Sequence, residues 1–175
     1  MRGIEQASVD ISYLRVMNMK QNWKTYLFWI GLAEAVGGLA GFLTREGTQI
    51  YRYMIEKPPL SPPAIVFPIV WSLLYALMGI GAARVSLTVK SDQRSVALNL
   101  FIVQLVVNFF WSLIFFNAQA FGFAFLWLLL LWLLVLWMIM AFRLVDRPAA
   151  WLQIPYLLWV TFAGYLNYGV WQLNM

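Results

Sequence analysis

The chain has 175 residues, 63% of them hydrophobic and only 11% charged. A soluble domain carries about 25% charged residues, so this composition belongs in lipid. Histidine and cysteine are both absent, which excludes disulfides, thiol nucleophiles, ordinary zinc sites and the commonest haem ligand. The net charge of +5 does not point to nucleic acid, because Lys and Arg are scattered between apolar runs and read as topology signals.

Five runs approach or exceed the roughly 20 apolar residues that span a bilayer. They cover 25–44, 64–87, 96–116, 121–142 and 151–173. The predicted fold is an all-α integral membrane protein, a five-transmembrane-helix bundle. Residues 25–175 form one membrane domain, and a polar N-terminal tail occupies 1–24. That tail has weak apolar periodicity (Ile4, Val9, Ile11, Leu14, Met17), which suits a short interfacial helix or a loose tail. The first run lies too far in to be a signal peptide and lacks a small-residue cleavage pattern.

Arg2, Arg15, Lys20 and Lys24 precede the first run. Arg84, Lys90 and Arg94 flank the second connection, and Arg143 and Arg147 the fourth. Only Arg45, Arg52 and Lys57 fall in the first connection, and the third connection and C-terminus have none. This asymmetry predicts a cytoplasmic N-terminus and an outer C-terminus. With no organelle-targeting pattern visible, a bacterial cell membrane is the default location.

Within the first run, Ala33, Gly37 and Gly41 recur every four residues, the small-residue pattern that lets helices approach closely in lipid. It suits internal packing or a dimer seam. Glu34 sits near the middle, where an ionisable group is costly unless paired or protonated. It is either a proton or cation site, or a glutamic acid hydrogen-bonded to a helix carrying Gln104 or Asn108.

The connection EKPPLSPP holds Pro58, Pro59, Pro62 and Pro63, which fix φ and lower the entropy lost when a loop closes over a site. They would form a proline-rich lid over a cavity, with Lys57 available to a ligand carboxylate. Alternatively they stiffen a turn while Lys57 anchors at headgroup depth. On the second run Phe67, Trp71, Tyr75 and Met78 share one helix face, as do Asn108, Trp111, Ser112 and Phe115 on the third. The short connection NAQA makes the third and fourth runs antiparallel neighbours. In the fourth run Trp127, Trp132 and Trp137 recur every five residues, cannot share a face, and read as lipid contacts or packing. The fifth opens near Pro155, which bends the helix entrance, and its stripe is Trp159, Phe162, Ala163 and Leu166 with Asn167 beside it.

One aromatic stripe alone is ordinary packing. Three together, each mixing large π-faces with a polar or small residue, point to a cavity wall for a flat apolar ligand. A metal-free macrocycle or a sterol-like lipid fits that inventory better than a tightly ligated haem.

Four ordered motifs carry a further reading: K-P-x-x-x-P-P at Lys57–Pro63, P-x-V-W-x-x-L-Y-x-x-M-G at Pro68–Gly79, Q-L-x-x-N-x-x-W-x-x-x-F-F at Gln104–Phe116, and P-Y-x-x-W-x-x-F-A-x-x-L-N-Y at Pro155–Tyr168. In these the chain resembles the translocator protein family, also called the tryptophan-rich sensory proteins (TspO/MBR). The resemblance implies a five-helix bundle, often a homodimer, that binds porphyrins such as protoporphyrin IX and, in some members, sterols. The family's pocket positions fall on Pro62, Phe67, Trp71, Tyr75, Asn108, Trp111, Trp159, Ala163 and Leu166. In some bacterial members light-dependent porphyrin breakdown is linked to tryptophans matching Trp71 and Trp159, the two candidate catalytic residues.

Three positions depart from the family pattern. Its Trp-Tyr pair reads Tyr51-Arg52 here, so Arg52 stands ready for a porphyrin propionate. Trp127 occupies the place of an acidic residue early in the fourth run. Gln172 follows Leu166 and Tyr168 where a proposed cholesterol motif wants a basic residue, so little cholesterol dependence is expected. The leading expectation is a membrane receptor or sensor for porphyrin-like tetrapyrroles, with no metal and no separate cofactor. A light-dependent porphyrin-degrading enzyme is the second. A transporter ranks last, for want of an internal repeat.

Overall fold

The computed structural model describes the backbone of residues 2–175 and the side chains of residues 22–175. The polar segment 1–24 therefore lies almost wholly outside the residues whose side chains are described. Among the described residues seven α-helices succeed one another: α1 (Arg2–Leu43), α2 (Arg45–Met54), α3 (Val66–Ser86), α4 (Asp92–Ser112), α5 (Phe121–Val145), α6 (Arg147–Trp151) and α7 (Ile154–Leu173). A π-helical turn, Leu113–Asn117, extends α4.

The helix boundaries follow from local chemistry. Ser91 caps α4, its hydroxyl accepting from the Arg94 N–H at 3.2 Å, and Asp92 follows in the first turn where the helix dipole favours a negative charge. Asp146 caps α6 by accepting from the Ala149 N–H at 2.7 Å, with Pro148 in the first turn. The expected bend at Pro155 takes the form of a break: α6 stands apart as a single turn, and α7 restarts with Pro155 in its own first turn. The last predicted run, 151–173, is thus a short helix end followed by the 20-residue α7.

Among the described residues, four helical stretches are long and apolar enough to cross a membrane: Asn22–Leu43, Val66–Ser86, Asp92–Asn117 and Phe121–Val145. Helix α7 has comparable length, but Thr161, Asn167 and Gln172 dilute its apolar character, and it is not among the four. The main packing partners are α1 with α3, α4 with α5, and α5 with α6 and α7. The turn at 118–120 joins α4 to α5, as its brevity required.

The α1–α3 seam uses small residues. Ala33 is fully buried, a β-carbon on Gly37 would collide with the Tyr75 ring, and one on Gly79 would strike the α1 backbone at Ile30. Gly41 faces open space. The four-residue pattern is therefore internal packing at Ala33 and Gly37. At the other end of the bundle Arg84 donates to both oxygens of Asp146 at 3.0 Å, tying α3 to the α5–α6 junction.

The α5 tryptophans divide as their spacing required. Trp127 Nε1 donates to the Val107 carbonyl at 2.8 Å, Trp132 Nε1 donates to Thr161 Oγ1 at 2.9 Å, and Trp137 is exposed.

Candidate functional site

A cavity of about 1030 Å³ lies between the C-terminal half of α1, α2, the start of α3, the end of α4 and the middle of α7. Its aromatic wall is built from three helices. On α3, Trp71 stacks on Tyr75 with ring centroids 5.5 Å apart at 28°. On α4, Trp111 stacks on Phe115 at 5.2 Å and 23°. Phe67 meets Trp159 of α7 edge to face at 6.0 Å. Small residues of α1 form the facing wall: Gly37 lies tight against the Tyr75 ring, while Gly38 and Gly41 leave the space beside them open.

Behind the aromatic wall lies a buried polar cluster that fixes it. Tyr156, fully buried, donates to Gln104 Oε1 at 2.9 Å and accepts from Asn108 Nδ2 at 3.1 Å. The same Asn108 nitrogen reaches the Tyr75 hydroxyl at 3.5 Å. Asn167 orients Trp111, accepting from its Nε1 at 3.2 Å while donating to the Phe121 carbonyl at 2.9 Å.

The mouth is framed by α2 and the segment 55–65. Tyr51 packs its ring on Phe115 and Phe116, each centroid 5.5 Å away, and burial pushes its phenol pKa above the ordinary value. Lys57 Nζ donates to the carbonyls of Arg52 and Ile55 at 3.0 Å, and the Arg52 guanidinium lies over the Tyr53 ring. The segment is tied to α7 from above. Glu56 and Asn174 exchange two hydrogen bonds of 3.1 and 3.0 Å, the Tyr165 hydroxyl donates to the Pro59 carbonyl at 2.9 Å, and Pro58 lies against Gly169. Leu60 turns the chain with φ 66°, a left-handed value that a leucine adopts only when its surroundings hold it there.

Residues 29–172 match the model of the TspO/MBR family. The chain is 37% identical over 157 residues to a tryptophan-rich protein TspO of Chlorobaculum tepidum, covering 89% of this chain and 99% of that protein. It is 42% identical over 144 residues to protein CrtK of Rhodobacter capsulatus, covering 82% and 89%. It is 38% identical over 147 residues to a translocator protein of Ovis aries, covering 82% and 86%. The chain belongs to the TspO/MBR family. With its spanning helices, that membership makes it an integral membrane protein.

The candidate residues that the family motifs picked out come together, with one exception. Pro62, Phe67, Trp71, Tyr75, Trp111, Trp159, Ala163 and Leu166 all line the cavity, as does Arg52. Asn108 does not: it is buried behind Tyr75, with its amide nitrogen engaged by the two tyrosine hydroxyls. Met78 and Phe162, on the same predicted stripes, also lie off the cavity. Glu34 lines it, and the expected pairing with Gln104 or Asn108 does not occur, because those amides serve Tyr156.

Sequence reading missed Phe116 and the carboxamides of Asn117 and Asn174. A regular α-helix would not turn Phe115 and Phe116 to the same side, but the π-helical turn does, and nothing in the local sequence announces that turn. Asn117 caps the end of α1 by donating to the Leu43 carbonyl at 3.0 Å.

Proposed function

We propose that this TspO/MBR protein is a membrane receptor or sensor that binds porphyrin-like tetrapyrroles, protoporphyrin IX among them, in the aromatic cavity. The observation that carries the reading is the joining of five aromatic faces, Phe67, Trp71, Tyr75, Trp111 and Trp159, around about 1030 Å³ of space. That volume is at the top of the roughly 300–1,000 Å³ range of small-molecule sites, as a flat macrocycle requires. Each aromatic contact with the ligand contributes on the order of 0.5–1.5 kcal/mol beyond burial.

In this reading α7 is the fifth span, about 30 Å long, enough for the hydrocarbon core. Its C-terminus and the proline segment then lie outside, and the N-terminus in the cytoplasm of a bacterial cell. The proline segment is the lid, its prolines holding it near the closed shape. Arg52 and Lys57 meet the ligand's propionates at the mouth. A homodimer is formed through the exposed apolar helix faces.

One observation favours a second reading, light-dependent oxidation of the bound porphyrin by dioxygen. Trp71 touches both Tyr75 and Tyr156, the latter at 6.2 Å between centroids. On excitation the porphyrin takes one electron from the Trp71 indole and hands it to dioxygen, giving superoxide to attack the macrocycle, and the hole left on the indole passes to either phenol, which releases its proton.

The test is a titration of the protein in nanodiscs with protoporphyrin IX. Tryptophan quenching is followed in the dark, and the porphyrin absorbance under light. Saturable quenching that weakens at least tenfold in Trp71→Ala and Trp159→Ala is expected. Unsaturable quenching, equal in all three proteins, would reduce the aromatic stripes to packing. Light-driven bleaching that survives Trp71→Phe and Trp159→Phe would sink the enzyme reading alone.

A further inference from the structure

The cavity wall carries few charges, and they are segregated. Among the described residues, Glu34 is the only acidic side chain lining it, and Arg45, Arg52 and Lys57 are the only basic ones. All three cations belong to α2 and the segment after it, at the end of the cavity where α1 stops. Glu34 lies deeper, set back from Leu43 by roughly 14 Å of helical rise.

No described residue makes a hydrogen bond or ion pair with the Glu34 carboxyl. The two buried amides nearest in kind, Gln104 and Asn108, are turned to Tyr156 and Tyr75. Around it the wall is glycine and aromatic ring, Gly37, Gly38 and Tyr75. An ionisable group at membrane depth is costly without a partner and marks a functional position. Where the described residues supply no partner and the group borders a cavity, a partner can come with the occupant.

We propose that Glu34 is a second polar subsite, which takes a cationic nitrogen or strong N–H donor of a flat ligand whose anionic end meets Arg52 and Lys57. The cavity thereby selects amphoteric ligands, and selects their orientation as well. This rests on the cavity accepting flat apolar ligands, and it does not require the ligand to be a tetrapyrrole.

The test uses two probes with the same aromatic body, 1-pyrenemethylamine and 1-pyrenebutyrate, at pH 7. They are titrated into the full chain in zwitterionic nanodiscs, with energy transfer from tryptophan as the readout and empty nanodiscs subtracted. Glu34→Gln keeps the side-chain shape and removes only the charge. It is expected to weaken the amine about tenfold, the effect of one lost charge-assisted contact, and to leave the acid within twofold. The double variant Arg52→Gln/Lys57→Gln is expected to do the reverse. An equal effect of Glu34→Gln on both probes, or no effect on either, overturns the subsite, as does failure of both probes to saturate. Saturable, charge-selective pyrene binding without protoporphyrin IX binding would remove the tetrapyrrole reading and leave the subsite standing.

Discussion

Tyr75 lies so close to Gly37 that no β-carbon fits between the α1 backbone and the phenol ring. Gly37→Ala must therefore displace Tyr75, and with it the Trp71 stack and the contact to Asn108. Overpacking of this kind costs about 1–3 kcal/mol. Thermal unfolding in detergent should show a clear loss for Gly37→Ala, whereas Gly41→Ala, in open space, should stay within about 0.5 kcal/mol. Equal losses at both positions would mean that the seam is not where the geometry puts it.

Tyr156 is the hub of the buried polar cluster, and its hydroxyl serves two amides at once. Tyr156→Phe keeps the ring and its packing but strands Gln104 Oε1 with no donor. A buried unsatisfied acceptor costs about 1–3 kcal/mol. The variant should unfold earlier while retaining ligand quenching, because Tyr156 stands behind the cavity wall and not on it. Lost quenching at unchanged stability would show that the cluster faces the ligand.

Much of this was legible in the sequence because lipid imposes simple rules. Runs of apolar residues had to be helices, and the prolines and the NAQA turn marked where they end. The stripe spacing on α3 and α7 placed Phe67, Trp71, Trp159 and Ala163 on the cavity, as helical periodicity dictates. Asn108 went astray because periodicity gives a direction and not a depth: a residue can share the face of a stripe and still sit behind a neighbour's ring. Phe116 was hidden by a change of helical period, and the split between α6 and α7 was only half visible in Pro155. Asn174 and Tyr165 could not be read at all, since their partners lie more than a hundred positions away in the chain.

The Arg84–Asp146 pair gives the fold a pH dependence. Burial raises the Asp146 carboxyl, but the hydrogen bonds from Arg84 and the Ala149 N–H outweigh it and hold the carboxyl below its ordinary value. A depressed carboxylate contributes stability that is present above its unfolded pKa of about 3.9 and lost as pH falls through the lower folded value. Melting temperature should therefore drop on acidification below about pH 4 in the wild type and drop less in Asp146→Asn, which still caps α6. At neutral pH that substitution should cost under about 1 kcal/mol, since Arg84 is partly exposed. Asp146→Ala, which also removes the cap, should cost about 1–2 kcal/mol. Identical acid profiles in all three proteins would deny the pair any role.

The proline segment is held to α7 from outside the cavity, and that attachment can be cut without touching the wall. Asn174 accepts from the Glu56 N–H and donates to the Glu56 and Val170 carbonyls. Asn174→Ala should therefore expose the Glu56 amide and speed its hydrogen exchange at least tenfold. Tyr165→Phe removes a different tether, the bond to the Pro59 carbonyl, and should leave Glu56 protected while loosening the turn at Leu60. If the segment is a lid, either change should raise the rates of ligand entry and exit together, with a smaller effect on affinity. Faster exchange at Glu56 with unaltered ligand kinetics would make the segment a stiff connection and nothing more.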